Sequence, residues 1–212
     1  MKLAFIASFI IGGLLWLSVF QVNNNMFSHS GRQTLYQSVK VKNEALAQLM
    51  ERDIRRVGFR VPEGNPSHGI LEAKNDEFEF VSMFEGPNSI NPPVIVSWKV
   101  SGMESFASLQ ACIDEGGEDL LMTRTVKNAG LAPEDDGFII EEITYEVGAI
   151  CFSFRYFDLN MEEAATGLTL PHNNIRHIGF VLMSESEQRY GDRHERHALE
   201  RTVTPRNLNL GS

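Results

Sequence analysis

The stretch that most limits how this chain can fold is residues 3–20, a run of 18 in which the only polar side-chain groups are the hydroxyls of Ser8 and Ser18. At about 1.5 Å of rise per residue such a helix is roughly 27 Å long, close to the hydrocarbon thickness of a bilayer. A helix pairs its backbone groups internally, so the run can sit where no water reaches. It reads as an uncleaved transmembrane anchor over residues 1–22. A buried helix of a soluble domain is the first competitor, but 18 residues apolar on all faces is long for one. A cleaved signal peptide is the second. It needs small residues at the cleavage site, and Val19-Phe20-Gln21-Val22-Asn23-Asn24-Asn25 offers no small-x-small pair. Lys2 before the span and Arg32, Lys40 and Lys42 after it leave the positive-inside count undecided. The short leading flank and the large following domain give a single inner-membrane pass with N-in, C-out orientation and a head outside the cytoplasm, with membrane lipid as a partner. Ser8, Gly12 and Gly13 put small residues at about four-residue spacing, which lets helices approach closely in lipid. Ordinary glycine use in a membrane helix competes with that reading.

The polar stretch 23–30 interrupts the apolar pattern. An amphipathic stem helix then follows within residues 23–63: Leu35, Val39, Leu46, Met50, Ile54 and Val57 recur at spacings that make one apolar stripe. Gly58 supplies a C-cap, and Pro62 lies where the helix cannot continue. The pattern fits either one jointed rod or two helices. Residues 64–212 change to short alternating runs separated by turn residues, a β-rich head. Strands are expected over 69–73, 78–84, 94–100, 120–126, 139–147, 150–157, 175–183 and 199–208, the last one interrupted by Pro205. One long helix followed by a series of strands is an α+β order, a helix packed on an antiparallel sheet. Residues 23–212 are thus expected to form one globular unit.

Little chemistry is written into the loops. A net charge of −9 argues against a nucleic-acid partner held by bulk electrostatics. Asp158-Leu159-Asn160-Met161-Glu162-Glu163 alternates oxygen side chains but lacks the glycine and distant glutamate of a calcium loop, so a polar turn is expected. His194 and His197 have no third ligand within reach of the sequence, and they read as part of a mixed-charge surface. Phosphate loops, nucleophile elbows and Cys-x-x-Cys pairs are absent. The expectation is no enzyme, no metal, no cofactor and no small-molecule substrate. Cys112 and Cys151 are the only cysteines. They either form one disulfide closing a loop of about 40 residues or stay as two buried thiols.

The order of elements and several segments resemble type IV pilin-like proteins. Leu49-Met50-Glu51-Arg52-Asp53-Ile54-Arg55-Arg56-Val57-Gly58-Phe59 is similar to the end of the long helix in PilW-type minor pilins and J-type minor pseudopilins of type II secretion, with Asp53, Arg55 and Gly58 on the shared positions. Val96-Ser97-Trp98-Lys99-Val100, Leu120-Leu121-Met122-Thr123-Arg124 and Cys151-Phe152-Ser153-Phe154-Arg155-Tyr156-Phe157-Asp158 resemble successive strands of that family. Ile175-Arg176-His177-Ile178-Gly179-Phe180-Val181-Leu182 resembles the next strand, and Thr202-Val203-Thr204-Pro205-Arg206-Asn207-Leu208 the closing segment, with Arg206 and Asn207 matching. The leader motif cut by prepilin peptidase is not among these matches: Met1-Lys2 runs into the apolar segment, and the first acidic residue is Glu44. The resemblance implies a structural subunit of a type IV filament or type II secretion pseudopilus, packed by its helix against other pilin-like subunits, with a periplasmic or extracellular head. From a different class, the alternative is a single-pass envelope protein whose periplasmic domain binds a ligand or partner without any filament role.

Overall fold

A computed structural model describes residues 2–59, 69–83, 93–101, 120–131, 138–164, 174–189 and 194–206, with side chains from Ser8 onward and without that of Val147. Among the described residues the one helix, α1, runs unbroken over Lys2–Ile54. The triplet Asn23-Asn24-Asn25 lies inside it. Each asparagine costs a helix only a few tenths of a kcal/mol to about 0.7 kcal/mol, and no proline or glycine stands beside them to turn the chain.

The structure corrects the reading of the N-terminus as a membrane anchor. Among the described residues, no helix is long and apolar enough to cross a membrane. The side chains of residues 3–7, which open the apolar run, lie outside the described set. From Ser8 to Phe20 there are 13 residues before Gln21 and the asparagine triplet. That is about 20 Å of helix against a hydrocarbon core of about 30 Å. No transmembrane anchor is shown, and the inner-membrane placement with its N-in, C-out orientation does not stand.

After Ile54 the chain tightens into three-residue turns, in which Arg56 N–H donates to Asp53 O (2.9 Å) and Val57 N–H to Ile54 O (3.1 Å). Gly58 then takes a left-handed conformation (φ 67°) and its N–H donates to Val81 O at 3.0 Å. Val81 in turn donates to Gly69 O at 2.6 Å. A Cβ on Gly69 (φ 95°) would lie 2.6 Å from the Gly58 Cα and N. Both glycines are therefore fixed by close approach of two backbones, where the helix exit meets the sheet.

Among the described residues seven strands follow, β1 (Ile70–Ala73), β2 (Glu77–Ser82), β3 (Val94–Ser101), β4 (Leu120–Asn128), β5 (Ile139–Phe157), β6 (His177–Glu185) and β7 (Arg196–Val203). Each pairs antiparallel with the next, so the sheet is a meander in sequence order. The alternating apolar residues of β2 to β4 (Phe78 and Phe80; Val94, Val96, Trp98 and Val100; Leu120, Met122 and Val126) all point inward and are buried. The two runs expected around residues 148–149 are one strand of 19 residues. Gly148 (φ 61°) lets it bend without a turn. Its first half pairs with β4, through residues 139–149, and its second half pairs with β6, through residues 149–157. Counting those halves separately gives eight strand segments.

This handover curls the sheet, so that Phe78 of β2 meets Phe154 and Tyr156 of β5 with ring centroids 5.4 and 6.0 Å apart. Val39, Leu46, Ala47, Met50, Ile54 and Val57 of the helical segment are buried, Leu35 is half-buried, and all from Leu46 onward join the aromatic cluster inside the curl. Cys151 is buried beside Ile150 and Met183 and is disulfide-bonded. Cys112, the chain's other cysteine, lies outside the described residues.

Two outcomes test this packing. Gly69→Ala is expected to destabilise the domain by about 1–3 kcal/mol through backbone overlap and a disfavoured φ, read as a lower denaturant midpoint. The buried Tyr156 hydroxyl donates to Lys74 O at 2.8 Å. Burial first, then the nearby Asp76 and Glu72 charges, raise its pKa well above the ordinary 10.0. Above that value the unfolded chain loses this proton while the folded chain keeps it, so stability falls as pH rises. Tyr156→Phe should flatten that alkaline decline in a series of urea titrations, at a cost of about 1 kcal/mol near neutral pH.

Candidate functional site

The site is α1 itself, which divides into a half held by the head and a half held by nothing else described. The held half begins with polar contacts to β7 and the segment before it. Arg32 Nε donates to Glu195 Oε1 at 2.7 Å, Lys42 Nζ to Glu187 Oε1 at 2.6 Å, and Arg201 Nη2 to Glu44 Oε2 at 3.0 Å. The fully buried Asn43 donates to His197 O at 3.1 Å, and the His197 ring sits edge-on to Tyr36 at 5.7 Å. Exposed ion pairs of this kind contribute between about 0 and 1 kcal/mol each. They align the helix more than they hold it.

The strong hold lies in the last turn of the helix. Asp53, 1% exposed, accepts from Arg124 Nε on β4 (2.6 Å) and from Trp98 Nε1 on β3 (3.1 Å). Arg124 also donates from Nη1 to Glu141 Oε2 on β5 at 2.7 Å. Burial works against the Arg124 charge, but hydrogen bonds and charges from Asp53 and Glu141 outweigh it, so its pKa is raised and the guanidinium stays protonated. Trp98 stacks on Tyr145 of β5 at 5.8 Å and closes the network.

Arg124 is the functional residue that motif reading left without a role. Its signal was its phase: it shares the inward parity of Leu120, Met122 and Val126. An arginine on a core-facing position needs a buried carboxylate, and Asp53 is the one on the helix. Among the other motif positions, Arg55 is exposed and pairs with Glu51 at 3.6 Å. Arg206 is exposed just past β7, and Asn207 lies outside the described residues.

The other half of α1 presents Phe9, Ile10, Ile11, Leu14, Leu15, Trp16, Leu17, Val19, Phe20, Val22, Met26 and Phe27, every one more than half exposed. The apolar surface runs round the helix, unlike the single stripe below it. Ser8 is exposed on this half, and a Cβ added at Gly12 or Gly13 would meet nothing within 4 Å. A monomer seldom leaves so large a contiguous apolar surface uncovered, and such surfaces mark interaction sites.

Among the described residues, no group of three His, Cys, Asp or Glu side chains is placed to hold a metal ion. The Asp158 carboxylate accepts from the N–H groups of Asn160 and Glu162, which makes that segment a self-closed turn. His194 and His197 belong to β7 and its approach, not to a helix, and they engage Ser186 O and Asn43 respectively. No protein-family model matches the chain, and no curated protein does.

Removing one partner of the buried network strands the other. Asp53→Asn or Arg124→Met is expected to cost about 3–5 kcal/mol, and Asp53→Leu combined with Arg124→Met much less than the sum. Chemical denaturation of the three variants measures that coupling.

Proposed function

We propose that this chain is a structural subunit of a multi-subunit assembly, a minor pilin-like or pseudopilin-like protein whose α1 packs side by side with the helices of neighbouring subunits. The observation that carries this reading is the division of one continuous helix into a locked half and an apolar exposed half. A helix whose last turns are fixed in a head by Asp53, Met50 and Ile54 holds its free half at a set angle to that head. Helices presented in this way bury their apolar surface against copies or relatives of themselves. Gly12 and Gly13 leave room for a neighbour's side chains, as close helix packing requires. The segments that resemble the minor pilin and pseudopilin families add to the reading, and the order of one helix followed by an antiparallel meander agrees with it. The head, on this view, faces outward and contributes position and surface, not catalysis.

The test uses Gly12→Leu and Gly13→Leu together. Both sites are open in the single chain, so the head should keep its stability to within about 1 kcal/mol, the helix gaining slightly from loss of glycine. In an assembly the added side chains overpack the contact and cost about 1–3 kcal/mol per interface, so recovery of the chain with isolated filaments should drop about tenfold. Unchanged recovery of the double variant, with normal folding, would sink the proposal.

A further inference from the structure

We propose that the open edge of β5 over residues 139–146 takes up an extended segment of another protein, one alternating aliphatic with basic side chains, as an added strand. The inference does not rest on how α1 assembles. It rests on the point where β5 changes neighbours. β4 covers one edge of residues 139–149, while β6 ends at Glu185 beside Gly148, so among the described residues no strand pairs with the other edge of residues 139–146. Alternate N–H and C=O groups on such an edge point outward without a ladder.

The side chains of this stretch differ from those of the sheet's end strands. β1 has four residues, and β7 carries Arg196, Glu200 and Arg201, which pair with Glu185, Arg155 and Glu44. The open half of β5 instead exposes Ile139 (54%), Ile140 (56%) and Ile143 (37%), with apolar groups on both faces. Only an extended chain can pair with alternating backbone groups while placing side chains over isoleucines above and below, which is strand addition.

Charge decides which extended chain. Residues 138–149 contain Glu141, Glu142 and Glu146 and no lysine or arginine. Glu141 is taken by Arg124 on the core side. Glu142 and Glu146 stand with Thr144 on the opposite face, which Thr144 fixes by its hydrogen bond to Thr123 at 3.3 Å, and Ile139 joins that face opposite Lys127 across the register shift. A second copy of this edge would bring carboxylates to carboxylates, and like charges across a ladder are destabilising. The glutamates therefore keep the edge from pairing with itself and favour a basic strand, one device serving both ends.

The probe is a synthetic peptide of about eight residues alternating valine and lysine, near the usual length of a strand. It would be added to the full chain in mild detergent and followed by fluorescence anisotropy and amide hydrogen exchange. The proposal expects binding with new protection over residues 139–146, abolished when alternate peptide nitrogens are methylated. Glu142→Lys with Glu146→Lys, both exposed, should weaken the peptide about tenfold. The same variant should gain binding of a valine–glutamate peptide, a result that loss of folding cannot imitate. Absence of binding, binding indifferent to N-methylation or to the charge reversal, protection confined to another region, or self-association through this edge would each overturn it.

Discussion

A carboxylate in the last turn of a helix sits badly for two reasons: it faces the negative end of the helix dipole, and, when buried, it gives up its hydration. Asp53 bears both penalties. Its position is tenable only because Arg124 and Trp98 reach it from neighbouring strands, and they reach it only when β3 and β4 hold their observed register. Phe78, Trp98, Arg124 and Ile143 form one rung across four strands, so the ion pair ties the helix end to the rung that aligns the sheet. Shifting β4 by one residue would turn Arg124 to the outer face and leave Asp53 as a lone buried charge. Apolar packing of Met50, Ile54 and Val57 supplies more of the stabilisation, but it would tolerate a small slide. The charge pair would not.

That lock gives the rest of α1 its meaning. Beyond the head the helix is an extension whose direction is set at its far end, guided along the way by the Glu44–Arg201 and Arg32–Glu195 pairs. A free apolar helix on a loose joint could meet partners at any angle. One fixed by a buried network presents a defined surface, which a regular assembly needs from each member.

Much of this was legible in the residues. Period-two alternation placed Phe78 and Phe80 on the buried face of a strand, and three-to-four spacing placed Val39, Leu46, Met50 and Ile54 on the packed stripe. Where the reading failed, non-local geometry decided. The triplet 23–25 left one rod or two helices open in the sequence, and it sits inside a helix that continues on both sides. Gly148 reads as a break between two strands, yet a positive φ there bends one strand and passes it from β4 to β6. The role of Arg124 required knowing which of several carboxylates lies across a gap of 71 residues in sequence. The apolar N-terminal run shows composition clearly but not what covers it, and among the described residues no helix is both long and apolar enough to cross a membrane.

The meander has a kinetic consequence. Every strand pairs with its neighbour in sequence, so each closure spans a loop of about 20 residues or fewer at modest entropic cost, and the sheet can grow stepwise from β1. The helix is different: its partners on β7 and the segment before it lie about 145 to 163 residues downstream. α1 precedes the strands, yet the contacts of its middle turns are among the last to form. Until β7 closes, α1 has its lock to β3 and β4 but lacks the polar guides along its middle, a window in which its apolar half is open to premature association.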